Sequence, residues 1–205
     1  MLVVESTLRY YDDNAPDVAD AYERVDFHRN VDRFSSHLEP GSTVLEVGCG
    51  SGRDASYLIR RGYGVQAIDG SIGMIREAER LHPELSGHAR VVPLPAGLPY
   101  DDETFDGVMS WAVLMHLETD GFASVLREIR RVTREGGVFA YSVNTERLGI
   151  DSSCHDEHGR RFTCLSAAAW ERLHVAAGFA TLTADESGDI IGREGVRWVT
   201  FITRR

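Results

Sequence analysis

The stretch from Thr43 to Ile59, T-V-L-E-V-G-C-G-S-G-R-D-A-S-Y-L-I, constrains the fold of this chain more than any other. It opens on an apolar run rich in β-branched residues, and the length of that run suits a buried strand of a parallel sheet. Three glycines follow at once, and the next apolar positions recur at the spacing of a helix. The pattern therefore predicts a strand, a glycine turn and a helix whose free N–H groups point back at a ligand.

The spacing of the glycines separates two kinds of ligand. A dinucleotide-binding fingerprint reads G-x-G-x-x-G or A, but counting from Gly48 puts Arg53 at the third small position. The chain instead reads G-x-G-x-G, with Glu46 two residues before the first glycine. A carboxylate is out of place beside a phosphate, whereas it suits a ligand that carries an amine and a sulfonium.

The run E-V-G-C-G-S-G, residues 46–52, resembles the first motif of the class I S-adenosylmethionine (SAM)-dependent methyltransferases, of the type that acts on small molecules. In that family the loop holds the methionine part of SAM. A glycine turn with a purely structural role is the alternative. The resemblance implies SAM as the cofactor, with contacts from Glu46, Gly48, Cys49, Gly50, Gly52 and Arg53.

A second strand is predicted from Val65 to Asp69. Asp69 lies 17 positions after Gly52, near the separation found within one βαβ unit, where an acid accepts both ribose hydroxyls. Ser71 is expected to cap the next helix. The run D-G-S-I-G-M resembles the second signature of the same family, although its methionine also fits a plain core position. The resemblance implies further cofactor contacts from Asp69, Gly70, Ser71 and Met74.

The third and fourth strands carry the main departure from that family. They are predicted at residues 91–94 and 107–111. Where many members have Gly-Asp-Ala to hold adenine, this chain has Pro93, Leu94 and Pro95. Leu94 accepts no hydrogen bond and Pro95 has no N–H, so adenine must be held by packing, by a shifted backbone contact or by water. The cofactor contacts expected on this side are Pro95, Ala96, Trp111 and His116, the last of which also fits a structural role.

The rest of the chain continues the alternation of helices and strands. Helices are predicted at residues 122–132 and 166–177, and strands at residues 138–143 and 179–183. Residues 195–203 alternate apolar and polar side chains, which is typical of an antiparallel strand at the end of the sheet.

Two segments fall outside this alternation. Residues 1–40 contain one or two predicted helices, and the run Y-Y-D-D-N-A resembles the N-terminal lid over the SAM site of small-molecule methyltransferases. Its tyrosines fit simple packing onto the sheet equally well. Residues 144–165 are long, polar and aperiodic, as functional loops are. We expect both segments to act as lids, with Tyr11 facing the cofactor; the candidates for a catalytic role are Tyr11, His155 and His158.

The same loop raises the question of a metal. Cys154, His155, His158 and Cys164 lie close together in the sequence. Their spacing matches no familiar zinc pattern, and Cys164 reads as a buried lead-in to a helix. We therefore expect no metal.

Composition limits the setting and the partners. The 205 residues suit a single domain, residues 1–205, and the formal net charge of -10 argues against a nucleic-acid substrate. Three cysteines do not form a disulfide framework, and no apolar run is long enough to span a membrane. The first residues, M-L-V-V-E-S-T-L-R, become charged too soon for a secretory signal. The expectation is a cytoplasmic monomer or homodimer that acts on a small molecule without binding nucleic acid or membrane.

Together these patterns predict a doubly wound α/β fold, with a mostly parallel seven-stranded sheet, an antiparallel last strand and helices on both faces. The resemblance implies in-line transfer of a methyl group from SAM to an oxygen, nitrogen, sulfur or carbon atom of a small-molecule acceptor. Two alternatives stay open: an NAD(P)-binding Rossmann oxidoreductase, and a non-catalytic SAM-binding regulatory or partner protein.

Overall fold

The structure is a computed structural model, and it describes residues 3–205, with side chains from residue 5 onward. Within that range seven strands form one sheet. The strands are β1 Thr43–Val47, β2 Gly64–Asp69, β3 Ala89–Val91, β4 Phe105–Trp111, β5 Thr133–Arg147, β6 Ala180–Gly188 and β7 Val196–Arg204. Their order across the sheet is β3-β2-β1-β4-β5-β7-β6.

Seven α-helices flank this sheet within the same residues. They are α1 Val3–Asp13, α2 Ala15–Glu23, α3 His28–Ser35, α4 Arg53–Arg60, α5 Ile72–Leu81, α6 Thr119–Val132 and α7 Ala167–Ala176. Strands β1 to β5 pair in parallel, and β7 pairs antiparallel to both β5 and β6. The predicted doubly wound fold with an antiparallel last strand is confirmed.

The core lies on both faces of the sheet. One face is covered by α6 and α7, whose Phe122, Ile129 and Trp170 pack with the apolar side chains of β4 and β5. The other face is covered by α3, α4 and α5, which contribute Phe34 and Leu58 among others. Because both faces are buried, the central strands read as continuous apolar runs in the sequence.

The edge strand β3 differs from the sequence prediction. It spans Ala89–Val91 instead of residues 91–94. The N–H of Val92 still donates to the carbonyl oxygen of Asp69 at 2.8 Å, but Pro93 and Pro95 have no N–H with which to continue the ladder. The strand therefore ends where the prolines begin.

Strand β5 is longer than predicted. It begins at Thr133 and continues to Arg147, so residues 144–147 are strand where the sequence predicted a loop. Its added length pairs with β7, in a register that runs from Val138 opposite Arg204 to Arg147 opposite Val196. Pairing with β7, which lies some fifty residues away in the sequence, sets this boundary.

The N-terminal region also contains more helix than the sequence indicated. Three helices precede β1, and the tyrosine pair at positions 10 and 11 lies inside α1. Pro16 is in the first turn of α2, as expected for a residue that supplies no N–H. None of the helices described between residues 3 and 205 combines the length and the hydropathy needed to cross a bilayer.

Candidate functional site

A cavity of about 630 Å³ lies at the carboxyl ends of β1, β2 and β4. The order of the strands reverses between β1 and β4, and open α/β sheets bind their ligands at such a point. The volume is within the range of small-molecule sites. This cavity is therefore the candidate functional site.

The structure brings most of the predicted cofactor contacts to this cavity. Those that line it are Tyr11, Glu46, Gly48, Cys49, Gly50, Arg53, Asp69, Gly70, Met74, Trp111 and His116. Four others are not part of its wall: Gly52, Ser71, Pro95 and Ala96. Leu94, which departs from the family pattern, lines the cavity with its apolar side chain.

The four residues outside the wall have other contacts. A Cβ at Gly52 would come within 2.4 Å of Leu85, so this glycine lets α4 approach the segment after α5. Ser71 caps α5 by accepting the N–H of Met74 at 3.0 Å, and its hydroxyl donates to Asp12 at 2.6 Å. Pro95 faces Gly121 of α6, and the neighbouring Ala96 N–H donates within its own turn. The cap predicted at Ser71 is thus confirmed.

The glycine turn shapes the cavity floor at Gly50. Its backbone has φ of +55°, a region that L side chains seldom adopt, and a Cβ there would lie 3.3 Å from the ring of Tyr22. At Gly48, where φ is +77°, a side chain is excluded by packing, because an added Cβ would come 2.2 Å from Val113. Gly50 is therefore the position where a side chain would intrude on the cavity itself.

Asp69 fixes the turn to the end of β2. Its Oδ2 accepts the N–H of Gly50 at 3.0 Å, and its Oδ1 accepts the N–H of Ser71 at 2.9 Å. Burial raises the pKa of Asp69, and these two backbone donors oppose the shift. Each carboxylate oxygen has a second lone pair, so the side chain holds the loop and still has capacity for ligand hydroxyls.

Glu46 brings a buried carboxyl group to the same wall. The residue is 2% exposed, and its Oε2 has no hydrogen-bond partner among the residues that the structure describes. Burial and the nearby Asp54 raise the pKa of Glu46 well above its usual range. The indole Nε1 of Trp111 is likewise buried and has no hydrogen-bond partner among residues 3–205. Such groups are stabilised when a ligand supplies the missing donor or acceptor.

Arg53, which occupies the position of the third dinucleotide glycine, is engaged elsewhere. Its guanidinium donates to the carbonyl oxygens of Tyr22 and Val25, and pairs with Asp54 at 2.8 Å. These bonds tie the connection between α2 and α3 onto α4. The arginine therefore holds the N-terminal helices against the glycine turn.

Tyr11 and His116 meet inside the cavity although 105 positions separate them. The Tyr11 hydroxyl lies 3.2 Å from Nε2 of His116, whose Nδ1 lies 2.5 Å from the carbonyl oxygen of Arg161. A carbonyl only accepts, so Nδ1 carries the proton and Nε2 accepts from the tyrosine. Burial lowers the pKa of His116 to about 4. The histidine is neutral at pH 7 and positions the tyrosine hydroxyl.

This pKa gives a prediction for stability. Between pH 6.5 and pH 4 the unfolded chain protonates His116 while the folded chain does not, so folded protein loses stability as the pH falls through that window. A shift of this size corresponds to about 3 kcal/mol. His116→Asn, whose amide can still donate to Arg161, should lose less stability between pH 7 and pH 4.5 in urea titrations. Buried His174, whose pKa is also lowered to about 4, contributes equally in both proteins. Parallel losses would show that His116 does not cause the dependence.

The other two catalytic candidates lie outside the cavity wall. His155 is held in the exposed turn at Asp151, with Nδ1 3.1 Å from the hydroxyl of Ser153. His158 packs its ring 5.2 Å from that of Tyr10, on the outer side of α1. Of the three, the structure brings only Tyr11 to the site. Cys154 and Cys164 are free thiols.

Sequence reasoning named no residue of one wall of the cavity as a site residue. The wall is formed by the end of β5, the loop after it and the β6–β7 hairpin, with Arg147, Arg160, Phe162, Asp185, Glu186, Asp189, Arg193 and Trp198. The first three lie in the segment 144–165 that was expected to be a lid. The hairpin was expected only as strands, and no motif marked any of these residues.

The comparisons with known proteins agree with this geometry. A family model described as a methyltransferase domain matches residues 44–137. The malonyl-[acyl-carrier protein] O-methyltransferase of Erwinia pyrifoliae is 31% identical over 158 residues, which cover 74% of this chain and 57% of that protein. The chain spans about half the length of the curated relatives it matches.

Solved structures share the whole fold. The 1,6-didemethyltoxoflavin-N1-methyltransferase of Burkholderia thailandensis, with 1,6-didemethyltoxoflavin and S-adenosylhomocysteine bound, has a TM-score of 0.79 at 21% identity, covering 98% of this chain and 87% of that one. The [4+2]-cyclase SpnF has a TM-score of 0.76 at 18% identity, covering 100% and 97%. At these identities the likeness concerns the fold. The matched methyltransferase domain and the curated relative that is 31% identical over 74% of this chain show that the chain belongs to the class I SAM-dependent methyltransferase family.

Proposed function

We propose that this protein transfers a methyl group from SAM to a small-molecule acceptor. The observation that carries the proposal is the unpartnered carboxyl oxygen of Glu46, buried in the cavity beside the glycine turn. A sulfonium cofactor with an amino group would place positive charge next to this unpartnered oxygen. Asp69 at the end of β2 has lone pairs for ribose hydroxyls, so the methionine part and the ribose of the cofactor each have a fitting partner.

The residues of this chain would act mainly by positioning. SAM supplies an activated methyl group whose leaving group is a neutral thioether. Gly50 keeps the floor of the cavity open, and Glu46 and Asp69 would hold the methionine part and the ribose of the cofactor. Tyr11, oriented by neutral His116, presents a hydroxyl at the wall that faces the acceptor space. Alignment of an acceptor with the methyl group is then the principal source of rate.

Adenine would be held by apolar packing. Val92, Leu94 and Met74 line the cavity on the side of β2 and β3. None offers a side-chain hydrogen bond to the ring edge, which agrees with the expected loss of the family's aspartate contact. Specificity for adenine would therefore rest on shape and backbone groups.

The relatives do not decide which atom is methylated. One is named for methylation of oxygen on a malonyl group, and the structural neighbour for methylation of a ring nitrogen. The neighbour named as a cyclase shows that the fold alone does not define the chemistry. The cytoplasmic location, the exclusion of nucleic acid and the monomeric or dimeric state stay predictions from composition.

Binding and turnover of SAM test the proposal. Calorimetry with SAM, S-adenosylhomocysteine and NADH is expected to show binding of the first two and none of the third. A panel of carboxylic acids, phenols and amines, followed by detection of S-adenosylhomocysteine, is expected to yield acceptor-dependent turnover. Binding of SAM without turnover on any acceptor would favour a regulatory protein, and preference for NADH would favour an oxidoreductase.

The two expected lid segments touch each other in the structure. The backbone N–H of Arg161 donates to the hydroxyl of Thr7 at 2.9 Å, and the Arg160 guanidinium lies 4.5 Å from the ring of Tyr10. Asp12 in turn accepts the N–H of Gly73 at 3.0 Å, which anchors α1 to α5. These contacts support closure of the two segments as one unit over the cavity.

We expect SAM to protect both segments from hydrogen exchange. Ordering a lid reduces its conformational freedom, so residues 8–16 and residues 148–165, the part of the expected lid that follows β5, should exchange faster without SAM than with it. The peptide covering β4 serves as the internal control, because its strand is buried in either state. Equal exchange of the two segments with and without SAM would make them fixed structure and not a lid.

A further inference from the structure

The side chain of Arg147, the last residue of β5, is largely buried and makes no hydrogen bond to the residues that the structure describes. Its side chain is 9% exposed, and its Nε is enclosed with no partner among residues 3–205. The guanidinium stacks on Phe162, with the central carbon 3.7 Å from the ring centroid. Both residues line the cavity. The planar face of the arginine is therefore supported while its donors stay available.

Asp156 does not satisfy this arginine. Its Oδ2 accepts hydrogen bonds from Nε and Nη2 of Arg160 at 2.9 and 2.6 Å. Its Oδ1 accepts hydrogen bonds from the backbone N–H groups of His158 and Arg160. Nη2 of Arg147 lies 3.6 Å away, beyond hydrogen-bond distance. The carboxylate is thus committed to Arg160 and to its own turn.

Most of the other charged groups on this wall have partners of their own. Arg193 lines the same cavity and pairs with Asp189, which also accepts from Trp198. Asp185 pairs with Arg33, and Glu186 is exposed. Arg160 and Arg193 are thus paired with carboxylates at hydrogen-bond distance, whereas the nearest carboxylate to Arg147 is 3.6 Å away. Burial, Arg193 and Arg160 lower the pKa of Arg147, and Asp156 offsets that shift only in part.

We propose that Arg147 binds an anionic group of the methyl acceptor, a carboxylate or a phosphate, at the wall formed with Phe162. A guanidinium fork fits the paired oxygens of either group, and an arginine is preferred where such recognition is planar. Phe162 and Trp198 would contact an apolar body next to that anion. This inference rests on the proposed function, since it names the class of acceptor for the same site.

The position of Arg147 separates this anion from the cofactor's ribose end. Asp69 ends β2, and β1 and β4 lie between that strand and β5. At about 4.8 Å between strands, the end of β5 stands roughly 14 Å or more from the end of β2. The arginine is therefore on the acceptor side of the sheet.

Binding of simple anions tests the assignment. Benzoate and phenyl phosphate are titrated separately into the full chain, with and without saturating S-adenosylhomocysteine, and followed by NMR or calorimetry. We expect wild-type protein to bind at least one probe with Kd near or below about 10 mM, and Arg147→Met to weaken it at least about tenfold. The tighter probe identifies the anion as carboxylate or phosphate.

Two further variants separate planar recognition of the anion by the guanidinium from effects of charge and of fold stability. Arg147→Lys keeps the charge without the planar fork, so it should bind the probe with intermediate affinity. Arg197→Met is the matched control: this exposed arginine lies opposite Glu146 on β7, outside the cavity wall, and its loss should leave probe binding within twofold. Because Arg147→Met removes a largely buried charge that makes no side-chain hydrogen bond to the described residues, its melting temperature should equal or exceed that of wild type.

Three results would overturn the inference. In the first, wild-type protein binds neither probe in that range of Kd. In the second, Arg147→Met binds the probe with the affinity of wild type. In the third, Arg147→Met weakens S-adenosylhomocysteine but not the probe, which would assign the arginine to the carboxylate of the cofactor. Absence of S-adenosylhomocysteine binding in wild type contradicts the proposed function instead, and the titrations without it still decide the role of Arg147.

Discussion

Gly50→Val is expected to abolish SAM binding, with a loss of affinity of more than about 100-fold, or roughly 3 kcal/mol. The glycine lines the cavity with φ of +55°, and an added Cβ already lies 3.3 Å from the ring of Tyr22. The two methyl groups of valine would then have to enter the space of the ligand. Calorimetry with SAM measures the loss, and circular dichroism checks that the fold is kept.

A second glycine provides the control for backbone strain. Gly62, in the turn after α4, has φ of +87°, and a Cβ added there would have no heavy atom within 4 Å. Gly62→Val therefore carries a similar strain, on the order of 1–2 kcal/mol, without touching the cavity. We expect it to lower the melting temperature and to bind SAM as wild type does. Retention of SAM binding by Gly50→Val would mean that the glycine turn does not hold the cofactor.

Asp69→Ala is expected to weaken SAM binding by about 3 kcal/mol, or ~100-fold, because the carboxylate has two functions. It offers lone pairs to the ribose, and it accepts the N–H groups of Gly50 and Ser71 that fix the loop. Loss of the side chain would remove the ribose contact and loosen the floor of the cavity together. Titration calorimetry with SAM and with S-adenosylhomocysteine should show the same loss for both ligands.

Asp106 offers a matched comparison at the opposite end of the sheet. Its Oδ2 accepts the backbone N–H and the hydroxyl of Thr43, at the amino ends of β1 and β4. Asp106→Ala should destabilise the fold while leaving SAM affinity unchanged. If the two alanine variants changed SAM affinity equally, the effect of Asp69 would be a general loss of stability and the ribose assignment would be wrong.

Two arginines near the acceptor side of the cavity, Arg147 and Arg160, make different contacts with Asp156. Arg160 is fully paired with Asp156 and packs on Tyr10, so it joins the loop to α1. Arg147 shares the same carboxylate only at 3.6 Å and keeps its donors for the cavity. One carboxylate thus pairs with Arg160, which joins the loop to α1, and leaves the neighbouring Arg147 available for a ligand.

The local features of this protein were determined by the sequence alone. The strand, glycine turn and helix of residues 43–59 depend on backbone conformations that glycine permits and on apolar spacing within a few turns of chain. The cap at Ser71 involves a donor three residues away. The order of strands and helices followed from the same short-range patterns, so the fold was predicted together with the glycine turn and the strand-end acid.

Only the tertiary structure decided which distant residues share the cavity. The contact between Tyr11 and His116 joins positions 105 apart, and the length of β5 depends on its pairing with β7. Pro95 and Ala96 follow the chain around the turn and away from the wall, whereas no motif marked Arg147 at all. Each depends on how separate elements pack and on which buried groups find partners, and local spacing carries no information about either.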